Sequence, residues 1–77
     1  MQVQVNLLGQ LHLYPHAQPK TRTIDCPDGA NLSQIVDMLE IPRNDLYHAV
    51  IGSVPQVLSY QPKEGDSITF IPVSVSG

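Results

Sequence analysis

Val3, Val5 and Leu7 alternate with Gln2, Gln4 and Asn6. A period of two sends alternate side chains to opposite faces of a strand. Residues 3–7 are therefore predicted as a strand with its valines and leucine turned inward. The alternation stops at Leu8-Gly9. Residues 9–20 carry Gly9, Pro15 and Pro19 and read as a loop or bent connection, with Leu11, Leu13 and Tyr14 giving it partial packing. Thr21–Cys26 is rich in β-branched residues and predicts a second strand, paired with the first as a hairpin.

Pro27-Asp28-Gly29 then breaks the strand, and the period changes. Leu32, Ile35, Val36 and Leu39 recur at the spacing of one helix face. Asn31 stands where an N-cap belongs, and Gln34 three residues later completes a capping-box pattern. Pro42 forces its predecessor out of helical geometry, so the helix is predicted over residues 32–40. Tyr47–Ile51 reads as a strand and Gly52-Ser53 as a turn. Pro55–Leu58 reads as a short edge strand, since proline has no N–H to give a ladder. Pro62–Asp66 is a turn, and Ser67–Ile71 is the last strand.

The order is β-β-α-β-β-β, an α+β class in which one helix packs across one face of a mixed sheet of four or five strands. The first and last strands can lie side by side in the sheet centre, parallel and joined by a crossover through the helix. That is a β-grasp arrangement, although the periodicity by itself specifies only α+β. The expected core is Val3, Val5, Leu7, Ile24, Leu32, Ile35, Val36, Leu39, Val50, Ile68 and Phe70.

Seventy-seven residues with 42% apolar content make a single globular domain, 1–77. The net charge is −3, and the four basic residues Lys20, Arg22, Arg43 and Lys63 are scattered. No basic stripe exists to neutralise a phosphate backbone, so nucleic acid is not an expected partner. No apolar run approaches the roughly 20 residues of a membrane span. The N-terminus alternates instead of forming a continuous apolar signal core, so a cytoplasmic location is expected. Cys26 is the only cysteine and cannot staple the fold, so packing must hold it.

Catalytic chemistry is not legible. His12 and His16 sit in a proline-bounded loop and His48 in a strand, without carboxylates or cysteines at ligand spacing, so no metal site is expected. Cys26 lacks a basic neighbour that would lower its pKa and reads as a small buried residue. Asp28 and Asp66 fit turns, Asp37 and Glu40 the solvated helix face. No phosphate loop or serine elbow appears. The unusual segment is the end. After Asp66 no charged side chain occurs, and Pro72-Val73-Ser74-Val75-Ser76-Gly77 is apolar and small. Residues 73–77 are expected to form a flexible tail, slim enough to enter a narrow active site in another protein.

Val3–Leu8, Asn31-Leu32 with Ile35-Val36, Ile51-Gly52, Glu64-Gly65-Asp66 and Phe70-Ile71-Pro72-Val73-Ser74, in this order, resemble the ubiquitin-like sulfur-carrier proteins of the MoaD/ThiS family. The resemblance implies a β-grasp fold and a carrier that is not itself an enzyme. It implies that a partner adenylates the Gly77 carboxylate with ATP and Mg²⁺, the chain binding no cofactor of its own, and that sulfur then replaces AMP to give a thiocarboxylate. Val73, Ser74, Val75 and Ser76 would be the tail that enters the partner. The implied partners are an adenylating, E1-like enzyme and a sulfur-accepting synthase subunit, in molybdopterin, thiazole or related biosynthesis. Leu58, Tyr60 and Ile71 are candidates for an apolar partner surface on the sheet face opposite the helix. The family usually ends Gly-Gly, and here Ser76 precedes Gly77. The alternative is therefore a non-catalytic ubiquitin-like binding module or subunit whose tail is never activated.

Overall fold

The computed structural model describes residues 1–73. Five strands form one mixed sheet: β1 (Gln2–Leu7), β2 (Thr21–Asp25), β3 (Leu46–Ile51), β4 (Val54–Gln56) and β5 (Ser67–Pro72), in the spatial order β2-β1-β5-β3-β4. The first and last strands pair in parallel at the centre, with Val5 opposite Ile68 and Leu7 opposite Phe70. The outer pairs, β1 with β2 and β3 with β4, are antiparallel, as is β3 with β5. Parallel neighbours need a crossover connection, and helix α1 (Leu32–Met38) lies within it.

Alternation along the central strands creates the core. Val3, Val5 and Leu7 of β1 and Ile68 and Phe70 of β5 face Leu32, Ile35, Val36 and Leu39, and all nine are essentially inaccessible. Each such side chain contributes about 1.5–3 kcal/mol by leaving water. Of the expected core, Val50 is the exception: it is only half-buried, and Ala49 takes the inward position. The cause is a register shift between Leu46 and His48 against β5. One extra residue in β3 reverses the phase of alternation, so Leu46 and Ala49 face inward although three positions apart.

α1 begins as the sequence predicts. The Asn31 side chain accepts from the Gln34 N–H, and Gln34 reciprocates onto the Asn31 N–H, at 2.9 and 2.8 Å. The Leu32 and Ser33 N–H groups donate to the Tyr60 and Leu58 carbonyls at 3.0 and 2.9 Å, so the helix start is capped by a second segment as well. The helix ends at Met38, two residues earlier than predicted. Glu40 takes a left-handed φ of 53°, the Ile41 N–H reaches back to the Val36 carbonyl and the Glu40 N–H to that of Asp37. That is a Schellman termination, with Ile41 and Val36 both buried in the core, and it stops the helix before Pro42 can.

The stretch between β1 and β2 is more ordered than a loop. Two 3₁₀ turns, Gly9–Leu13 and Pro15–Ala17, bury Leu11 and Ala17 completely and leave Leu13 exposed. β4 is shorter than predicted and is an edge strand, with Pro55 opposite Val50.

Candidate functional site

β5 carries the chain to one end of the sheet, and the last described residues form the root of the predicted tail. Pro72 is buried and lies opposite Leu46 of β3. The Val73 N–H donates to the Asp45 carbonyl at 3.0 Å, while the Val73 side chain is exposed. On the other side of Pro72 sits Gly9. Its φ is +58°, and a Cβ built there would lie 2.9 Å from the Pro72 Cγ. The root is therefore gripped between the 3₁₀ turn after β1 and the segment that opens β3. Ser74, Val75, Ser76 and Gly77 lie outside the described residues, so the proposed attachment point and most of the tail do too.

The sheet face away from the helix divides in two. Gln2, Gln4 and Asn6 of β1, Thr21 and Thr23 of β2 and Ser67 of β5 make one half polar. The other half, next to the root, is mainly apolar, with His48 and Thr69 set among its apolar residues. Ile71 lies opposite His48, and Val50 lies between Thr69 and Pro55. The Leu8 N–H bonds the Phe70 carbonyl at 3.1 Å, which continues the parallel register and sets Leu8 beside Ile71. Tyr47, 67% exposed, packs its ring against His48 with centroids 4.4 Å apart. Leu8, Tyr47 and Val73 are all exposed around the half-buried Ile71 and Val50.

Leu58 and Tyr60 are elsewhere. They belong to the turn whose carbonyls cap α1, and both side chains pack partly buried against the core on the helix side. The structure does not bring them together with Ile71. The neighbours that Ile71 does have, Leu8, Tyr47 and Val50, follow from the strand register and the β3 bulge. Only the Leu8 position was within reach of sequence reasoning, since it continues the outward set Gln4, Asn6 along β1.

The charges leave this end neutral. Asp25, Asp28, Glu64, Asp66 and Lys63 gather at the opposite end, around the start of β1. There the Met1 ammonium donates to the Cys26 carbonyl at 2.6 Å and pairs with Asp28 at 3.1 Å, Glu64 accepts from the Gln2 N–H at 2.9 Å, and Asp66 accepts from the Lys63 N–H at 2.8 Å. These five side chains carry the whole net charge of −3, because Lys20, Arg22 and Arg43 balance Asp37, Glu40 and Asp45. The hydrogen bond that the Met1 ammonium donates to the Asp28 carboxylate raises the ammonium pKa. Burial raises that of the Cys26 thiol, which is the reverse of what a reactive cysteine needs.

Of the histidines, His12 Nδ1 hydrogen-bonds the Gly9 carbonyl and His16 pairs with Glu40 at 3.3 Å. Among the described residues no three His, Cys, Asp or Glu side chains are grouped to hold a metal ion, and no pocket opens on the surface. No helix among them is long and apolar enough to cross a membrane. Arg43 bridges the Ser33 carbonyl, the Ser33 hydroxyl and Asp37, which ties the segment before β3 to the exposed helix face. Among the described residues the arrangement offers an exposed surface and the root of the predicted tail, with no cleft in which a small molecule would react.

No protein-family model matches this sequence, and neither does any curated protein. Solved structures do match it in fold. SAMP1 from Haloferax volcanii superposes with a TM-score of 0.75 at 17% identity, covering 100% of this chain and 99% of that one. A "Putative molybdopterin converting factor, subunit 1" from Pyrococcus furiosus gives 0.73 at 13% identity, covering 94% and 97%. A second structure of the Haloferax volcanii small archaeal modifier protein 1 gives 0.71 at 15% identity, over 92% and 95%. The chain therefore shares the β-grasp fold of these structures.

Proposed function

We propose that this chain is a small sulfur carrier whose Gly77 carboxylate is activated by an ATP-using partner enzyme. The observation that carries the reading is the central parallel strand β5, which ends in a gripped root beside an apolar face and leads into a slim, uncharged tail. The names of two fold neighbours, a modifier protein and a molybdopterin converting factor subunit, support the same class.

A carboxylate is a poor electrophile. One Gly77 oxygen attacks the α-phosphorus of ATP, pyrophosphate leaves, and the resulting acyl adenylate has AMP as a good leaving group. A sulfide-level nucleophile attacks the acyl carbon and expels AMP, which leaves a thiocarboxylate with nucleophilic sulfur. Mg²⁺ and cationic groups of the partner would stabilise the phosphate charge. This chain supplies the docking face around Ile71, Leu8, Tyr47 and Val50, and a tail of Val73, Ser74, Val75 and Ser76 narrow enough for a shielded site. The acceptor would be a synthase subunit of molybdopterin, thiazole or related biosynthesis.

Ser76 favours a second reading. It adds bulk and loses the backbone freedom of a penultimate glycine, and Val75 is stiffer still. A partner tunnel shaped for Gly-Gly would exclude both, and the domain would then serve as a ubiquitin-like binding module. Intact mass separates the two. The chain is incubated with an adenylating enzyme of the sulfur-carrier class, ATP, Mg²⁺ and sulfide. Replacement of one oxygen by sulfur, abolished by removing Gly77, is the expected result. No gain with an enzyme verified on a Gly-Gly carrier refutes the carrier reading, and gain only in Ser76→Gly assigns the loss to that residue.

A further inference from the structure

We infer that Gly9 is a positioning residue for the tail: its bare α-carbon seats the Pro72 ring, and this holds the Val73 N–H on the Asp45 carbonyl, fixing the direction in which the tail leaves the sheet. The inference rests on the carrier reading for its consequence, and on geometry alone for the grip itself. Gly9 has φ +58°, and its missing Cβ would meet Pro72 Cγ at 2.9 Å, Cδ at 3.8 Å and Cβ at 3.9 Å. Carbon atoms rest at about 3.5–4.0 Å, so a methyl there displaces the ring by about half an ångström or more. The pyrrolidine ring cannot rotate aside as a flexible side chain does.

Pro72 has little freedom to yield without moving its successor. It is buried, lies opposite Leu46, and is followed directly by Val73, whose N–H bonds Asp45 at 3.0 Å. Asp45 closes the 3₁₀ turn Arg43–Asp45, whose Arg43 is anchored on Ser33 and Asp37 of α1. The tail root is thus held by two supports, one after β1 and one before β3. The Leu8 N–H on the Phe70 carbonyl fixes the first support to β5 itself. Ordering a residue's backbone costs conformational entropy. A root already ordered in the free domain spares the partner that cost when it takes the tail.

The comparison that isolates this role is Gly9→Ala against Gly52→Ala. Gly52 has a similar φ of +64° and no atom within 4 Å of a built Cβ, so it carries the backbone strain without the collision. Amide hydrogen exchange at Val73 and the KM and kcat of activation are measured for both, using the adenylating enzyme that converts the wild-type chain. Gly9→Ala is expected to lower Val73 protection about tenfold beyond Gly52→Ala, and to raise KM by about tenfold with kcat unchanged. Pro72→Ala removes the ring without adding strain and is expected to move both readings in the same direction, which keeps the test open if Gly9→Ala does not fold. Equal Val73 protection in Gly9→Ala and Gly52→Ala overturns the grip. Lost protection with unchanged KM overturns the positioning role. A wild-type chain that no adenylating enzyme converts overturns the carrier reading and that role together, and the exchange comparison still decides the grip.

Discussion

Leu11 and Leu13 lie two residues apart in one 3₁₀ turn, yet Leu11 is 0% exposed and Leu13 is 64% exposed. Replacing each by alanine removes the same atoms from sites of opposite burial. Buried leucine-to-alanine changes cost about 2–5 kcal/mol, the transfer loss plus the cavity left behind. A short turn resting on β5 and β1 relaxes more readily than a strand, so about 3 kcal/mol is expected for Leu11→Ala. A domain of this size has roughly 4–12 kcal/mol of stability in all, so the loss is a large share of it. For a domain of 60–100 residues each kcal/mol moves Tm by about 4–8 °C, which places the Leu11→Ala transition about 12–24 °C lower. Leu13→Ala is expected within about 0.5 kcal/mol of wild type. Thermal unfolding followed by far-ultraviolet circular dichroism measures both. A difference between the two variants of under about 1 kcal/mol would refute the claim that the β1–β2 connection is part of the core.

Three further predictions follow from local geometry. Asn31→Ala removes one of two reciprocal cap bonds and is expected to cost about 1 kcal/mol in urea unfolding, with Asn31→Ser close to wild type; an equal loss in both would show that the hydroxyl cannot replace the amide. Glu40→Gly relieves a left-handed L-residue worth about 1–2 kcal/mol, against glycine's greater unfolded-state entropy and the loss of an exposed pair with His16, so Tm is expected to rise slightly. A fall would mean that the His16–Glu40 contact outweighs the backbone strain. The Met1 ammonium and the Cys26 thiol both hold their protons more tightly folded than unfolded. Their contributions are complete below the unfolded pKa values and are lost as pH rises through the folded ones, so stability is expected to decline above about pH 8. Cys26→Ala should flatten that decline, and an unchanged slope in this variant would remove the thiol from the account.

What the sequence revealed depended on period. Val3, Val5, Leu7, Ile68 and Phe70 lie in unbroken alternation, and Leu32, Ile35, Val36 and Leu39 in unbroken helical spacing, and all nine are buried as expected. Val50 failed because the β3 bulge shifts the phase, and no residue type announces a bulge there. Glu40 failed as a helical residue because a Schellman end normally advertises itself by glycine. Partial packing of Leu11, Leu13 and Tyr14 was legible, but the prolines, which signal only a loop, hid that Leu11 and Ala17 are fully buried while Leu13 stays exposed. Ile71 was legible as an outward apolar residue, whereas its companions depend on which strands become neighbours. Leu58 and Tyr60 cap a helix, a role that their own segment does not display.

The central position of β5 has a consequence for how the molecule comes into being. Without residues 67–72 the sheet is two separate hairpins, β2-β1 and β3-β4, with nothing between them. Neither hairpin has a second parallel or antiparallel neighbour to complete its inner face, and two-stranded units are marginal in water. The keystone is the last of the five described strands to be synthesised, and its pairing with β1 spans more than sixty positions, from Gln4 to Ser67. Such distant pairing is slow to nucleate. During synthesis the chain therefore stays uncommitted until that strand has cleared the ribosome, and the same event that completes the core also fixes the root of the tail. A partner that reads the folded face beside Ile71 would then meet only molecules whose last strand is already in place.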